Sequence, residues 1–142
     1  LRVRRDQLSQ LATKAALLHH QGDLEKALEE LRSQEQACRK LGYRKELAQC
    51  LGSQADILRE RGQAARAIEL LSQTEEIWRS TGNQAGLAEM LIARAVVNIL
   101  DFNKPTEAAA DLAEATRIAA THQISDASKE LLNHLNEFMK QP

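Results

Sequence analysis

The one adjacent pair among the four histidines, the two cysteines and several clusters of carboxylates are the groups whose chemistry could reach beyond packing. His19 and His20 are adjacent. Neighbours on a helix point about 100° apart, and only Asp23 stands at the i+3 or i+4 spacing that would complete a metal site. The pair reads as a helix end near solvent. Cys38 and Cys50 flank Gly42 and come level with each other if the chain forms an antiparallel hairpin there. Packed helix axes lie about 8–10 Å apart, whereas a disulfide needs Cα atoms within about 7 Å. Two reduced packing thiols are therefore expected. Glu25, Glu29 and Glu30 with Lys26, and later Glu75 and Glu76 with Arg79, read as solvated helix faces. An acid–base pair needs burial or forced proximity, and no pattern here supplies it. Arg2, Arg4 and Arg5 form a short basic tip, which reads as a frayed helix start or a junction to further chain rather than a contact for an acidic partner or nucleic acid. No glycine-rich phosphate loop, serine elbow or Cys/His dyad is present. Neither an enzyme nor a cofactor or metal is expected.

Composition narrows the class further. The chain has 142 residues, 43% hydrophobic and 27% charged, with only four aromatics (Tyr43, Trp78, Phe102 and Phe138), two prolines, two cysteines and six glycines. Collagen-like and Pro/Gly-rich disordered chains are excluded, and an all-β sandwich would need more aromatic and β-branched residues. Two cysteines cannot build a disulfide scaffold, so a cytoplasmic, reducing setting is expected. Nineteen Lys and Arg against twenty Asp and Glu give a net charge of −1, which argues against a surface for nucleic acid or anionic lipid. No apolar run approaches the ~18 residues of a membrane span. The first residue is Leu1, from which a piece of a longer protein is expected.

The glycines supply the organising signal. Gly22, Gly42, Gly62 and Gly82 recur every twenty residues, and fixed periods mark repeat architectures. A shift of forty residues also places Leu11 on Leu51 and Leu91, Ala15 on Ala55 and Ala95, Ala27 on Ala67, Leu31 on Leu71, Glu35 on Glu75 and Arg39 on Arg79. The third copy slips by one residue near Lys104, after which Ala108 and Leu112 take the equivalent places. Between glycines, apolar residues step by three and four, as in Leu24, Ala27, Leu28 and Leu31, which is helical spacing. Gly ends a helix by entering φ > 0. Asp23 and Asn83 can cap the next helix. In the third copy Asn103 and Pro105 replace the glycine turn, Asn for its tolerance of left-handed backbone and Pro for the first helical turn. The spacing predicts seven antiparallel helices near 5–20, 24–41, 45–60, 64–80, 85–100, 105–121 and 125–139. Ala15, Ala55 and Ala95, with Ala27, Ala67 and Ala108, are small residues at helix crossings. The last segment, with Leu131, Leu132, Leu135, Phe138 and Met139, reads as an end cap.

The spacing Ala15, Gly22, Ala27, repeated as Ala55, Gly62, Ala67, resembles the tetratricopeptide repeat. The forty-residue period and the phrase from Gly22 to Leu28 are similar to the longer repeats of kinesin light chains and of large signalling proteins. The resemblance covers about residues 7–121. The chain departs from the family in three ways: Leu11, Leu51, Leu91, Leu31 and Leu71 replace its large aromatics, Lys14, Gln54 and Arg94 stand where it has Leu, and no proline closes the second helices.

What the resemblance implies is an all-α fold: a right-handed α-solenoid of three antiparallel helix pairs, near 5–42, 45–82 and 85–122, with a capping helix at 125–139, all in one domain of residues 1–142. It further implies that the first helix of each pair lines a concave face. Positions on that face are Ser9, Ala12, Thr13, Ala16 and His19, then Gln49, Gly52, Ser53, Asp56, Arg59 and Glu60, then Glu89, Ile92, Ala93, Val96 and Ile99. Gly52, inside a helix, is expected to mark a close approach by a neighbouring helix or by a ligand backbone. Ile92, Val96 and Ile99 are expected to be covered by the final helix, the alternative being an exposed anchor patch. The implied function is a non-catalytic scaffold that binds a protein or peptide partner in this groove, with no nucleic acid and no membrane. The alternative is a self-assembly or intramolecular regulatory or sensor segment of a larger signalling protein, such as an ATPase or transcription regulator, in contact with a second copy or with other domains of its parent chain.

Overall fold

The computed structural model describes residues 4–141. Arg2 of the basic tip lies outside them. The described residues form seven helices and no strand: α1 (Arg5–His20), α2 (Leu24–Leu41), α3 (Arg44–Glu60), α4 (Ala64–Thr81), α5 (Gln84–Leu100), α6 (Pro105–Thr121) and α7 (Asp126–Met139). No helix among them is long and apolar enough to cross a membrane. The chain divides into two compact units, Leu1–Gln73 and Thr74–Pro142.

The helix ends follow from local chemistry. Gly22, Gly42, Gly62 and Gly82 all adopt positive φ, between 71° and 84°, so the twenty-residue ruler is a ruler of left-handed turns. The Asp23 carboxylate accepts a hydrogen bond from the Lys26 backbone at 3.3 Å, and Asn83 Oδ1 accepts one from the Gly86 backbone at 2.9 Å. Each satisfies an amide that the first helical turn leaves without a partner. Asn103 is the one non-glycine among the described residues with positive φ, at 51°, and Pro105 opens α6. Between α3 and α4 the connection is residues 61–63, but between α5 and α6 it is residues 101–104. That extra residue is the slip in the third copy.

In the first unit α1 packs on α2, α2 on α3, and α1 also touches α3. Ala15, Ala27 and Ala55 are buried between these helices, and small residues let packed helices approach closely. Leu28 and Leu51 are fully buried beside them. Cys38 and Cys50 are buried and unbridged, and the Cys50 thiol donates to the Leu31 carbonyl at 2.9 Å.

In the second unit α5 packs on α6, and α7 packs against both. Ala88, Ala95, Ala108 and Ala115 are completely buried. Trp78 and Met90 fill the places that Cys38 and Cys50 hold one period earlier, and both are buried. Helix α7 buries Leu132 and Leu135, while Leu131 and Phe138 remain 41% and 51% exposed. The expected apolar face of α7 is therefore narrower than its sequence suggests. Leu131 is next to Leu132, and a step of one residue turns it about 100° away.

The glycine inside α3 corrects one branch of its expectation, the approach of a neighbouring helix. A Cβ built on Gly52 meets nothing within 4 Å, so no neighbouring helix approaches it closely. The close approach is at Gly86, where a Cβ would stand 2.6 Å from the Trp78 ring. The two positions should respond oppositely to alanine. Gly52→Ala should stabilise by about 0.5–1 kcal/mol, the helix-propensity difference. Gly86→Ala gains the same propensity but forces a rigid indole to move, for a net loss of about 1–3 kcal/mol. Urea melts of the two variants, read by far-ultraviolet circular dichroism, check both signs.

Candidate functional site

A cavity of about 180 Å³ opens in the first unit between α1, α2 and α3. Its walls follow helical spacing. Helix α1 contributes Leu8, Ser9, Ala12, Ala15, Ala16 and His19; α3 contributes Glu46, Gln49, Cys50, Ser53, Asp56 and Ile57; and α2 closes the floor with Leu31, Gln34 and Cys38. Steps of three and four keep each set on one helix face. Small residues on α1 (Ser9, Ala12, Ala16) leave the space that larger side chains would fill. Small-molecule sites are commonly about 300–1,000 Å³, so this cavity has room for a side chain rather than for a cofactor.

Five of the candidate residues converge on this cavity: Ser9, His19, Gln49, Ser53 and Asp56. Glu60 stands beside it, with its carboxylate 2.9 Å from His19 Nε2. Thr13, Gly52 and Arg59 are not part of the wall. Thr13 is exposed and its hydroxyl donates to the Ser9 carbonyl at 3.0 Å, while Gly52 and Arg59 are half-buried on α3. The remaining three candidates lie in the second unit. Glu89 is exposed, Val96 half-buried and Ile92 buried, at 3% exposure. Ile99 is buried too. The side chain of Ile92 is closed to a partner, which corrects its inclusion among contact positions.

The wall is of mixed exposure: Gln34, Cys38, Cys50 and Ile57 are buried, whereas Ser9, Gln49, Ser53 and Asp56 keep contact with solvent. Desolvation pushes the Asp56 carboxyl above its ordinary range, against the opposing pull of His19; Glu60 adds to the rise and Arg59 counters it. Burial pushes the Cys50 thiol up to about 12 and raises Cys38 as well, with Glu46 and Glu35 adding to it. Both cysteines are therefore inert thiols rather than nucleophiles. A raised carboxyl means that ionising Asp56 opposes folding. Its contribution is fully present below the ordinary value of 3.8 and is lost as pH rises through the folded one. Asp56→Asn should then melt higher than the parent at pH 7 and match it near pH 3. Thermal melts across that range check the sign.

Polar groups that the sequence reading did not single out sit deeper. Gln34 Nε2 and Glu46 Oε1 are buried without a hydrogen-bond partner, and both side chains line the cavity. The other Glu46 oxygen pairs with Arg5 at 3.3 Å, and Arg5 also lies 4.8 Å over the Tyr43 ring. With Arg4 paired to Asp6, the described part of the basic tip is engaged within its own unit.

The polar residues that replace Leu in the repeat also have a use. Lys14 meets Glu30 at 2.9 Å. Gln54 Nε2 donates to Glu35 at 2.9 Å. Arg94 donates to Glu75 at 2.8 Å and grips Asp111 through two nitrogens at 2.8 and 2.9 Å. Glu75 is held as well by Arg79, which reaches on to Glu114 at 2.7 Å. Burial works to raise the Glu75 carboxyl, but Arg94 and Arg79 outweigh it and hold it below its ordinary range. Glu75 is thus not a solvated face but the centre of an ionic network. Its in-phase pairing with Glu35, already visible in the sequence, was the available signal.

Among the described residues no group of His, Cys, Asp and Glu is arranged to hold a metal ion. A family model described as tetratricopeptide repeat matches residues 7–80, just over half of the chain. No curated protein matches the sequence significantly.

Proposed function

The chain belongs to the tetratricopeptide repeat family, whose members generally mediate protein–protein interaction, and on that premise we propose that it is a non-catalytic scaffold that holds a partner peptide along α1 and α3. The observation that carries this reading is the cavity itself. Five positions chosen from the repeat phase of the first helices converge on one opening, and that opening lies inside the segment matched by the family. Its size suits a side chain of an extended or helical peptide, and its mixed lining of alanine, serine and carboxylate suits a polar partner.

The test replaces Asp56 and Arg59 together with alanine. A partner isolated with the parent chain should bind the double variant at least tenfold more weakly in calorimetry, while the helical melt survives. Unchanged affinity would remove this face as the binding site.

A second reading is self-association within a larger signalling protein. It is favoured by Leu131 and Phe138, large apolar side chains on the open side of α7, since apolar area left open often marks an interaction site. Light scattering across a concentration series decides it: growth of the mass with concentration supports the reading, and a constant monomer mass ends it.

A further inference from the structure

We propose that the cavity between α1, α2 and α3 is a socket for one partner side chain that ends in a primary carboxamide, that of glutamine or asparagine. This rests on the reading that α1 and α3 take a peptide, and it names what the peptide inserts.

The argument comes from what the cavity leaves unmade. Gln34 is only 4% exposed, and its Nε2 donates to nothing. Glu46 Oε1 accepts from nothing and is equally shut off from solvent. Buried polar atoms are almost always satisfied, so an orphan donor and an orphan acceptor on two side chains that line one cavity call for an explanation. A single guest satisfies both only if it carries an acceptor and a donor close together. A guanidinium or ammonium has donors alone and leaves Gln34 unmet. A carboxylate has acceptors alone and adds negative charge beside Glu46 and Asp56. An alkyl chain satisfies neither atom, and a hydroxyl, though both donor and acceptor, offers the two functions from a single oxygen. A primary carboxamide presents one oxygen to the Gln34 amide and one N–H to the Glu46 carboxylate. Both orphan atoms are shut off from solvent at rest, but the terminal torsions of Gln and Glu are broad, so the Gln34 amide and the Glu46 carboxylate turn toward the guest when it enters. The methylenes of the guest would lie against Leu8 and Ile57, and a volume of about 180 Å³ admits one such side chain.

The experiment uses capped single residues as probes. The ¹⁵N-labelled chain is titrated at pH 7 with the N-acetyl methylamides of glutamine, glutamate, arginine and methionine. The glutamine probe should shift the Gln34 side-chain amide and the backbone amides of α1, α2 and α3, with at least fivefold tighter binding than the other three. Gln34→Leu should abolish that response while melting at or above the parent temperature, because it removes an unsatisfied buried donor. Arginine or methionine binding as tightly as glutamine would overturn the proposal, and so would retention of glutamine binding by Gln34→Leu. Absence of any response overturns the socket alone, since the Asp56/Arg59 double variant tests the peptide face by a separate measurement.

Discussion

Alanine in place of Arg94 should cost about 3 kcal/mol of stability, the lower end of the range for removing one partner of a buried ion pair because these side chains are partly buried, and lower the melting temperature by about 10 °C. The size of the effect comes from what remains behind. The Arg94 side chain is 16% exposed and that of Asp111 12%, so water replaces the guanidinium only in part. Two carboxylates, those of Asp111 and Glu75, lose their shared cation at once. Lysine at the same position restores the charge but not the planar fork that meets both Asp111 oxygens, so Arg94→Lys should fall between the parent and Arg94→Ala. A thermal melt of Arg94→Ala that coincides with the parent would show that the network contributes nothing net.

The second large effect is expected at Leu51. This side chain is completely buried in the first unit, and Leu51→Ala should lose about 2–5 kcal/mol through transfer and cavity terms together. Leu11 occupies the same repeat position one period earlier but is only half-buried, so Leu11→Ala should lose distinctly less. The measurement is the urea midpoint of each variant at constant slope. Equal losses at the two positions would contradict the difference in burial.

The parts of the fold that were legible in the sequence are those decided locally. Glycine with positive φ, Asp23 and Asn83 as caps, and Pro105 as a first-turn residue each act within one turn of chain. Helix bounds read from them differ from the structure by a single residue at Arg44, Thr81, Gln84 and Asp126. The face of α1 and α3 was legible for the same reason, since a step of three or four residues fixes direction without knowledge of the neighbour. The floor of the cavity was not read out, although a trace of it was present. Gln34 stands three residues after Leu31 and four before Cys38, a polar residue inside the buried stripe of α2. The exchange of roles between Gly52 and Gly86 was beyond reach, because it depends on how the helix carrying Trp78 registers against the next one. Carboxylates misled for a related reason. Glu75 looks solvated on its own helix and is drawn in by Arg94 from another.

The turn at residues 101–104 has an evolutionary consequence. One residue added inside a helix rotates everything after it by about 100° and carries the whole apolar stripe out of the core. The same residue added at a joint changes only the reach of a loop, provided that something there accepts left-handed backbone. Asn103 does so in this chain, and Pro105 restarts the helix in register with Ala108 and Leu112. Insertions and deletions in descendants of this sequence should therefore gather at the joints, where the lineage can change the length of a repeat without rewriting its interior.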